Sequence, residues 1–89
     1  MKTYKVKYSR AAVKKLKKLD KPIGLMIVGW IRQHLEDCID PRQTGKALTG
    51  DRKGLWRYRV GDYRIIADIQ DNEVLILVVD IGHRGTVYR

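Results

Sequence analysis

Residues 55–81 leave the rest of the chain little choice. Three strand-patterned runs follow one another there, Leu55–Val60, Tyr63–Gln70 and Glu73–Ile81, separated only by Gly61-Asp62 and Asp71-Asn72. Two-residue breaks close tight hairpins, Gly-Asp in the type II′ form and Asp-Asn, a poorer match, in type I′. The expected product is a three-stranded antiparallel meander, which must bury at least one face against another layer. The N-terminal half supplies that layer. Tyr4, Val6 and Tyr8 alternate with Lys5 and Lys7, the pattern of a strand with one wet face. Ser9 is placed to cap a helix in which Ala12, Val13, Leu16 and Leu19 form an apolar stripe among lysines. Asp20 and Pro22 open a second helix, with Ile23, Met26, Ile27, Trp30, Ile31 and Leu35 at helical spacing, and Asp40-Pro41 closes it. Trp30 reads as core rather than as a platform for stacking bases. Residues 42–54 lack periodicity and form a basic loop in which only Ala47 and Leu48 look anchored. The order β-α-α-β-β-β gives an α+β fold. It consists of an N-terminal strand, a helical hairpin and a three-stranded meander, in one antiparallel or mixed sheet with the helices on one face. Eighty-nine residues hold one core, so 1–89 is expected to be a single domain.

If Gly61-Asp62 is a two-residue turn, Val60 pairs with Tyr63, Arg59 lies opposite Arg64, and Arg57 lies opposite Ile66. Three arginines then share one face, while Trp56, Tyr58, Val60, Tyr63, Ile65, Ala67 and Ile69 take the face that suits the helices. Like charges directly opposite each other destabilise a sheet unless an anion neutralises them, and the guanidinium fork matches phosphate oxygens. The alternative is that Arg57, Arg59 and Arg64 are ordinary solvent-facing positions, partly neutralised by Asp62 or Asp68. Lys46, Arg52 and Lys53 in the loop and Gly82-His83-Arg84 at the end of the last strand add positive groups nearby, so the charges converge. In that last strand Val74, Ile76 and Val78 face one way. Leu75, Leu77, Val79 and Ile81 face the arginine side, an apolar strip that a partner segment would cover.

Nineteen Lys and Arg against ten Asp and Glu give a formal charge of +9. Such a field favours a polyanion, RNA above all. Cys38 is the only cysteine, which excludes an intrachain disulfide and points to a reducing compartment. With His34 one turn before it, it lacks a second pair of metal ligands, so we read Cys38 as a small buried hydrophobe and His34 as a helix-surface residue. No Ser/His/Asp set, acidic pair or phosphate-cradling Gly-rich loop is present, and no cofactor or metal is expected. Residues 1–10 hold no apolar run of a signal peptide and no window reaches a membrane span, so a cytoplasmic protein is expected.

The run Lys46-Ala-Leu-Thr-Gly50, then Gly54-Leu-Trp-Arg-Tyr-Arg-Val-Gly-Asp-Tyr-Arg-Ile-Ile66, then Ile81-Gly-His-Arg84 and Val87-Tyr88, resembles the RelE branch of the RelE/ParE toxin superfamily. The resemblance covers about half the chain closely. It implies a toxin of a type II toxin–antitoxin system that cleaves messenger RNA on the ribosome, without metal, by attack of the 2′-hydroxyl. Carried over residue by residue, it assigns Arg57, Arg59, Arg64, Arg84 and Tyr88 to the catalytic site, with His83 standing where relatives carry Lys or His. Lys46, Arg52, Lys53, Lys14, Lys15 and Lys18 would then contact RNA or the ribosome. A cognate acidic antitoxin would cover Leu75, Leu77 and Val79, and oligomers would form only through it. A ParE-like inhibitor of DNA gyrase, without enzymatic activity, is the alternative on the same fold.

Overall fold

The computed structural model describes residues 2–84. The elements in chain order are β1 (Lys5–Tyr8), α1 (Arg10–Lys18), α2 (Lys21–His34), β2 (Lys46–Ala47), β3 (Trp56–Val60), β4 (Tyr63–Gln70) and β5 (Leu75–His83). Single turns of 3-10 helix lie at Gly50–Arg52 and Asp71–Glu73. The strands form one sheet in the order β1-β5-β4-β3-β2. β1 runs parallel to β5 and every other pair is antiparallel, so the sheet is mixed.

Local chemistry accounts for most of the boundaries. The Ser9 hydroxyl accepts from the Ala12 amide at 3.1 Å and so starts α1. Pro22 stands in the first turn of α2, where its missing N–H costs nothing. α2 ends at His34, before the expected Asp40-Pro41, because the chain turns at Asp37 with φ 63 to reach β1. There the Asp37 amide donates to the Tyr4 carbonyl and the Tyr4 amide to the Cys38 carbonyl. Ala12, Ile27, Ile31 and Leu35 from the helices meet Tyr58, Val60, Ile65, Ala67, Ile76, Val78 and Ile81 from the sheet. Truncating one of these branched side chains to Ala costs about 2–5 kcal/mol.

The helix hairpin, the meander and the Arg59–Arg64 register follow the sequence reading. Gly61 has φ 59 while Asp62 does not enter the positive-φ region, as a type II′ turn requires. Beyond the early end of α2, three features of the sheet differ from expectation. Within the basic loop, Lys46 and Ala47 pair with Arg57 and Trp56, adding a short edge strand too brief to show any period. The Asp71-Asn72 break is not a two-residue turn. It is a 3-10 turn over Asp71–Glu73 closed by Val74 at φ 51 and ψ 49, and Asp71 at its start receives Tyr4 Oη at 2.6 Å and a two-pronged Arg42 at 3.0 Å. Finally, β5 carries a bulge. Ile66 pairs with Asp80 and Ala67 with Val78, leaving Val79 as the extra residue. The bulge shifts the strand's phase, so Ile81 joins Ile76 and Val78 in the core and leaves the arginine side to Leu75, Leu77, Asp80 and Gly82.

Candidate nucleic-acid interface

Cross-strand partners share a face, so the register reads out the surface opposite the helices. One row crosses it as Lys46, Arg57, Ile66 and Asp80, and the next as Arg59, Arg64 and Gly82. A third row places Asp68, Leu77 and Lys7 side by side. Lys7 therefore belongs to the arginine face. Its membership depends on the parallel β1–β5 pairing, for which no sequence pattern speaks.

Arg64 is the unusual member. It is only 5% exposed, although it lies on the face away from the helices. Its Nη1 donates to the Tyr63 carbonyl at 3.3 Å, and its buried Nε meets no acceptor among the described residues. Desolvation pulls its pKa below the usual guanidinium range, and Arg59, Arg57 and Arg84 pull it the same way, while Asp62 acts in the opposite sense. A charge held out of water among three like charges is a site of unmet positive potential. Arg59 is exposed and Arg57 half-buried, so the approach to Arg64 is lined with further guanidiniums. Arg84, exposed, is anchored there by its amide, which donates to the Asp62 carbonyl at 2.9 Å.

The basic loop is folded across this face. Arg52 in the first 3-10 turn reaches Asp80 Oδ2 at 3.2 Å, and Lys15 of α1 reaches Asp80 Oδ1 at 3.2 Å from the other side. Because Asp80 sits beside Ile66 in the sheet, that tie carries the loop over Ile66, which is fully buried. Arg52 and Lys15 thus share one carboxylate, whereas Lys46, Lys53, Lys14 and Lys18 are exposed at the surface. His83 is not brought beside the guanidiniums. The register places it opposite Tyr63 on the helix side, with the two rings edge to face at 5.5 Å. Tyr88 lies outside the described residues. Leu75, Leu77 and Val79 are half-buried, Leu75 and Leu77 on the arginine face and Val79 at the bulge. Cys38 is half-buried, with its thiol pKa pushed up first by desolvation, and His34 is exposed at the end of α2.

Among the described residues no group of three His, Cys, Asp or Glu is disposed to hold a metal ion, and no helix is long and apolar enough to cross a membrane. The arrangement defines a small mixed-sheet domain whose open face is built around a buried arginine. The family model described as "ParE toxin of type II toxin-antitoxin system, parDE" matches residues 6–88. Toxin RelE of Mycobacterium tuberculosis is 30% identical over 86 residues, spanning 97% of this chain and 87% of that protein. The fold overlays on the toxin–antitoxin complex RelBE2 of Mycobacterium tuberculosis with a TM-score of 0.84 and 27% identity, covering 94% of each chain. It also overlays on the archaeal RelE-RelB complex from Pyrococcus horikoshii with a TM-score of 0.70 and 31% identity, covering 97% of this chain and 100% of the other. The chain belongs to the RelE/ParE superfamily of type II toxin–antitoxin toxins.

Proposed function

We propose that the chain is a ribosome-dependent endoribonuclease that stops translation by cutting messenger RNA. The observation that carries this reading is Arg64, a buried guanidinium with an unsatisfied Nε, set opposite Arg59. Apart from the Nη1 bond to the Tyr63 carbonyl, nothing among the described residues partners this group, and it is preorganised for an anion. RNA supplies its own nucleophile. The 2′-oxygen attacks the adjacent phosphorus, the bond from phosphorus to the 5′-oxygen breaks, and the products are a 2′,3′-cyclic phosphate and a 5′-hydroxyl. Charge builds on the non-bridging oxygens of the pentacoordinate intermediate, where Arg57, Arg59, Arg64 and Arg84 would neutralise it. One proton must leave the 2′-hydroxyl and one must reach the departing 5′-oxygen. Arginine, which stays protonated far above neutral pH, does neither well. Tyr88 or His83 would carry the protons, His83 being the weaker candidate because its ring turns to Tyr63. Much of the rate would come from in-line alignment of the messenger by the ribosome.

The named complexes of relatives support a protein antitoxin as partner, and the basic face together with Leu75 and Leu77 fits an acidic, partly apolar segment. The test is single-turnover cleavage of a defined messenger on programmed ribosomes, comparing the wild type with Arg64→Ala. Loss of one preorganised donor should slow cleavage about 100-fold or more, and an unchanged rate sinks the assignment. The ParE description of the matching family favours a second reading, inhibition of DNA gyrase through the same face. A supercoiling assay run beside the ribosome assay decides between them.

A further inference from the structure

A cavity of about 260 Å³ opens at the outer edge of β3, lined by Trp30, Thr44, Gly45, Lys46, Arg57 and Arg59. It exists because β2 is so short. β2 accompanies β3 only as far as Arg57, and the chain then peels away at Gly45 with φ 86. A side chain there would collide with the Arg57 carbonyl oxygen and Trp56 Nε1, so the close approach requires glycine. Trp56 Nε1 donates to the Thr44 carbonyl at 2.7 Å and fixes the departing strand. Beyond that point β3 has no outer neighbour among the described residues. In a two-residue hairpin the pair flanking the turn, here Val60 and Tyr63, is hydrogen-bonded and the pairs alternate inward. Arg59 therefore turns its amide and carbonyl outward, toward the open edge.

The opposite wall is Trp30. Its ring is half-buried, tilted against Tyr58 at 5.8 Å and against His34 at 4.7 Å. It belongs to the core, as its spacing in α2 implied, but it also borders this cavity. Three features thus meet in one place: an aromatic ring, an outward main-chain donor and acceptor on one residue, and a rim of Lys46, Arg57 and Arg59. A single-stranded nucleotide presents a π-face, a base edge with adjacent donor and acceptor, and a phosphate. A bare anion would use only the rim. A partner strand would need a longer free edge than Tyr58–Val60.

We infer that this cavity is a nucleotide subsite, with the base against Trp30 and the Arg59 main chain and its phosphate on Arg57 and Arg59. The inference rests on the RNA reading above and deepens it, making Trp30 and the β3 edge determinants of base preference beside the cut.

The test uses the free protein without ribosomes. Intrinsic fluorescence is titrated with the four nucleoside 5′-monophosphates and, separately, with inorganic phosphate. In parallel, the Arg59 backbone amide of the isotope-labelled wild type is followed by NMR. The expected result is saturable quenching with at least one nucleotide and none with phosphate, and an Arg59 amide shift clearly larger with that nucleotide than with phosphate bound at the arginine rim alone. Trp30→Phe, which keeps a ring against Tyr58, should lose the quenching. Trp30→Leu should weaken nucleotide binding by about 5- to 150-fold, the range of one lost base stack. Equal responses to phosphate and nucleotides, or an Arg59 amide that stays still, overturn the subsite even if the variants unfold. Either outcome leaves messenger cleavage on the ribosome to be judged by its own assay. Nucleotide binding without cleavage would sink the nuclease reading alone.

Discussion

If Arg64 is kept for an anion rather than for the fold, replacing it with an apolar side chain of similar length should make the protein more stable and less active. Arg64→Met removes a charge that is 5% exposed and sits opposite Arg59. Like charges directly opposite each other destabilise a sheet, and desolvation of the buried charge adds to that cost. Against this stands the Nη1 bond to the Tyr63 carbonyl, worth about 1 kcal/mol. Exchanging buried ionic groups for packed apolar ones stabilises by about 1–4 kcal/mol in favourable cases, so a net gain of about 1–3 kcal/mol is expected here. For a chain of this size each kcal/mol moves the melting temperature by about 5 °C, which places Arg64→Met about 5–15 °C above the wild type. Calorimetry in a low-salt, phosphate-free buffer measures it. Inorganic phosphate should raise the wild-type melting temperature by binding the native state and should move Arg64→Met much less. Cleavage on ribosomes should fall about 100-fold or more in the same variant. A variant that melts below the wild type would show that Arg64 serves packing and not an anion.

Tyr88→Phe should lower the single-turnover cleavage rate if the hydroxyl moves or orients a proton, and full activity in that variant would reduce Tyr88 to a stacking surface. Ribosome affinity should fall steeply with salt, and removing Lys53 or Lys46 should flatten the logarithmic slope by about 1 each; a salt-independent affinity would point to protein contacts instead. Leu77→Asp, which puts a carboxylate on the half-buried strip, should weaken neutralisation by the antitoxin while leaving the growth defect, read by co-expression. The Asp71 carboxyl is held below its usual range first by Arg42 and then by the Tyr4 hydroxyl. A depressed folded pKa gives stability that is present above the unfolded value of about 4 and lost as pH falls through the lower folded value. Arg42→Gln should therefore flatten the acid limb of urea-melt stability between about pH 2 and 5, and an identical limb in both proteins would remove Asp71 from the account.

Much of the architecture is written locally. The Gly61-Asp62 turn admits one register, and that register alone sets Arg59 against Arg64 and separates the arginine face from the face that takes the helices. Ser9, Pro22 and the helical spacing of Ile27, Ile31 and Leu35 likewise act within a few residues of themselves. What the sequence could not declare depends on contacts between distant segments. Two residues, Lys46 and Ala47, have no period to detect, and they become a strand only because β3 offers its edge. The extra residue at Val79 is invisible in an unbroken apolar run, yet it moves Ile81 from the expected strip into the core. The parallel pairing of β1 with β5 puts Lys7 on the arginine face, and the bridge from Arg52 to Asp80 folds the basic loop over Ile66. Nor could composition distinguish Arg64 from its neighbours, since burial belongs to the assembled sheet and loop together. Register is a short-range property fixed by turn geometry and side-chain alternation, whereas desolvation is a property of everything that packs around a group, and it is desolvation that makes Arg64 unlike the other arginines.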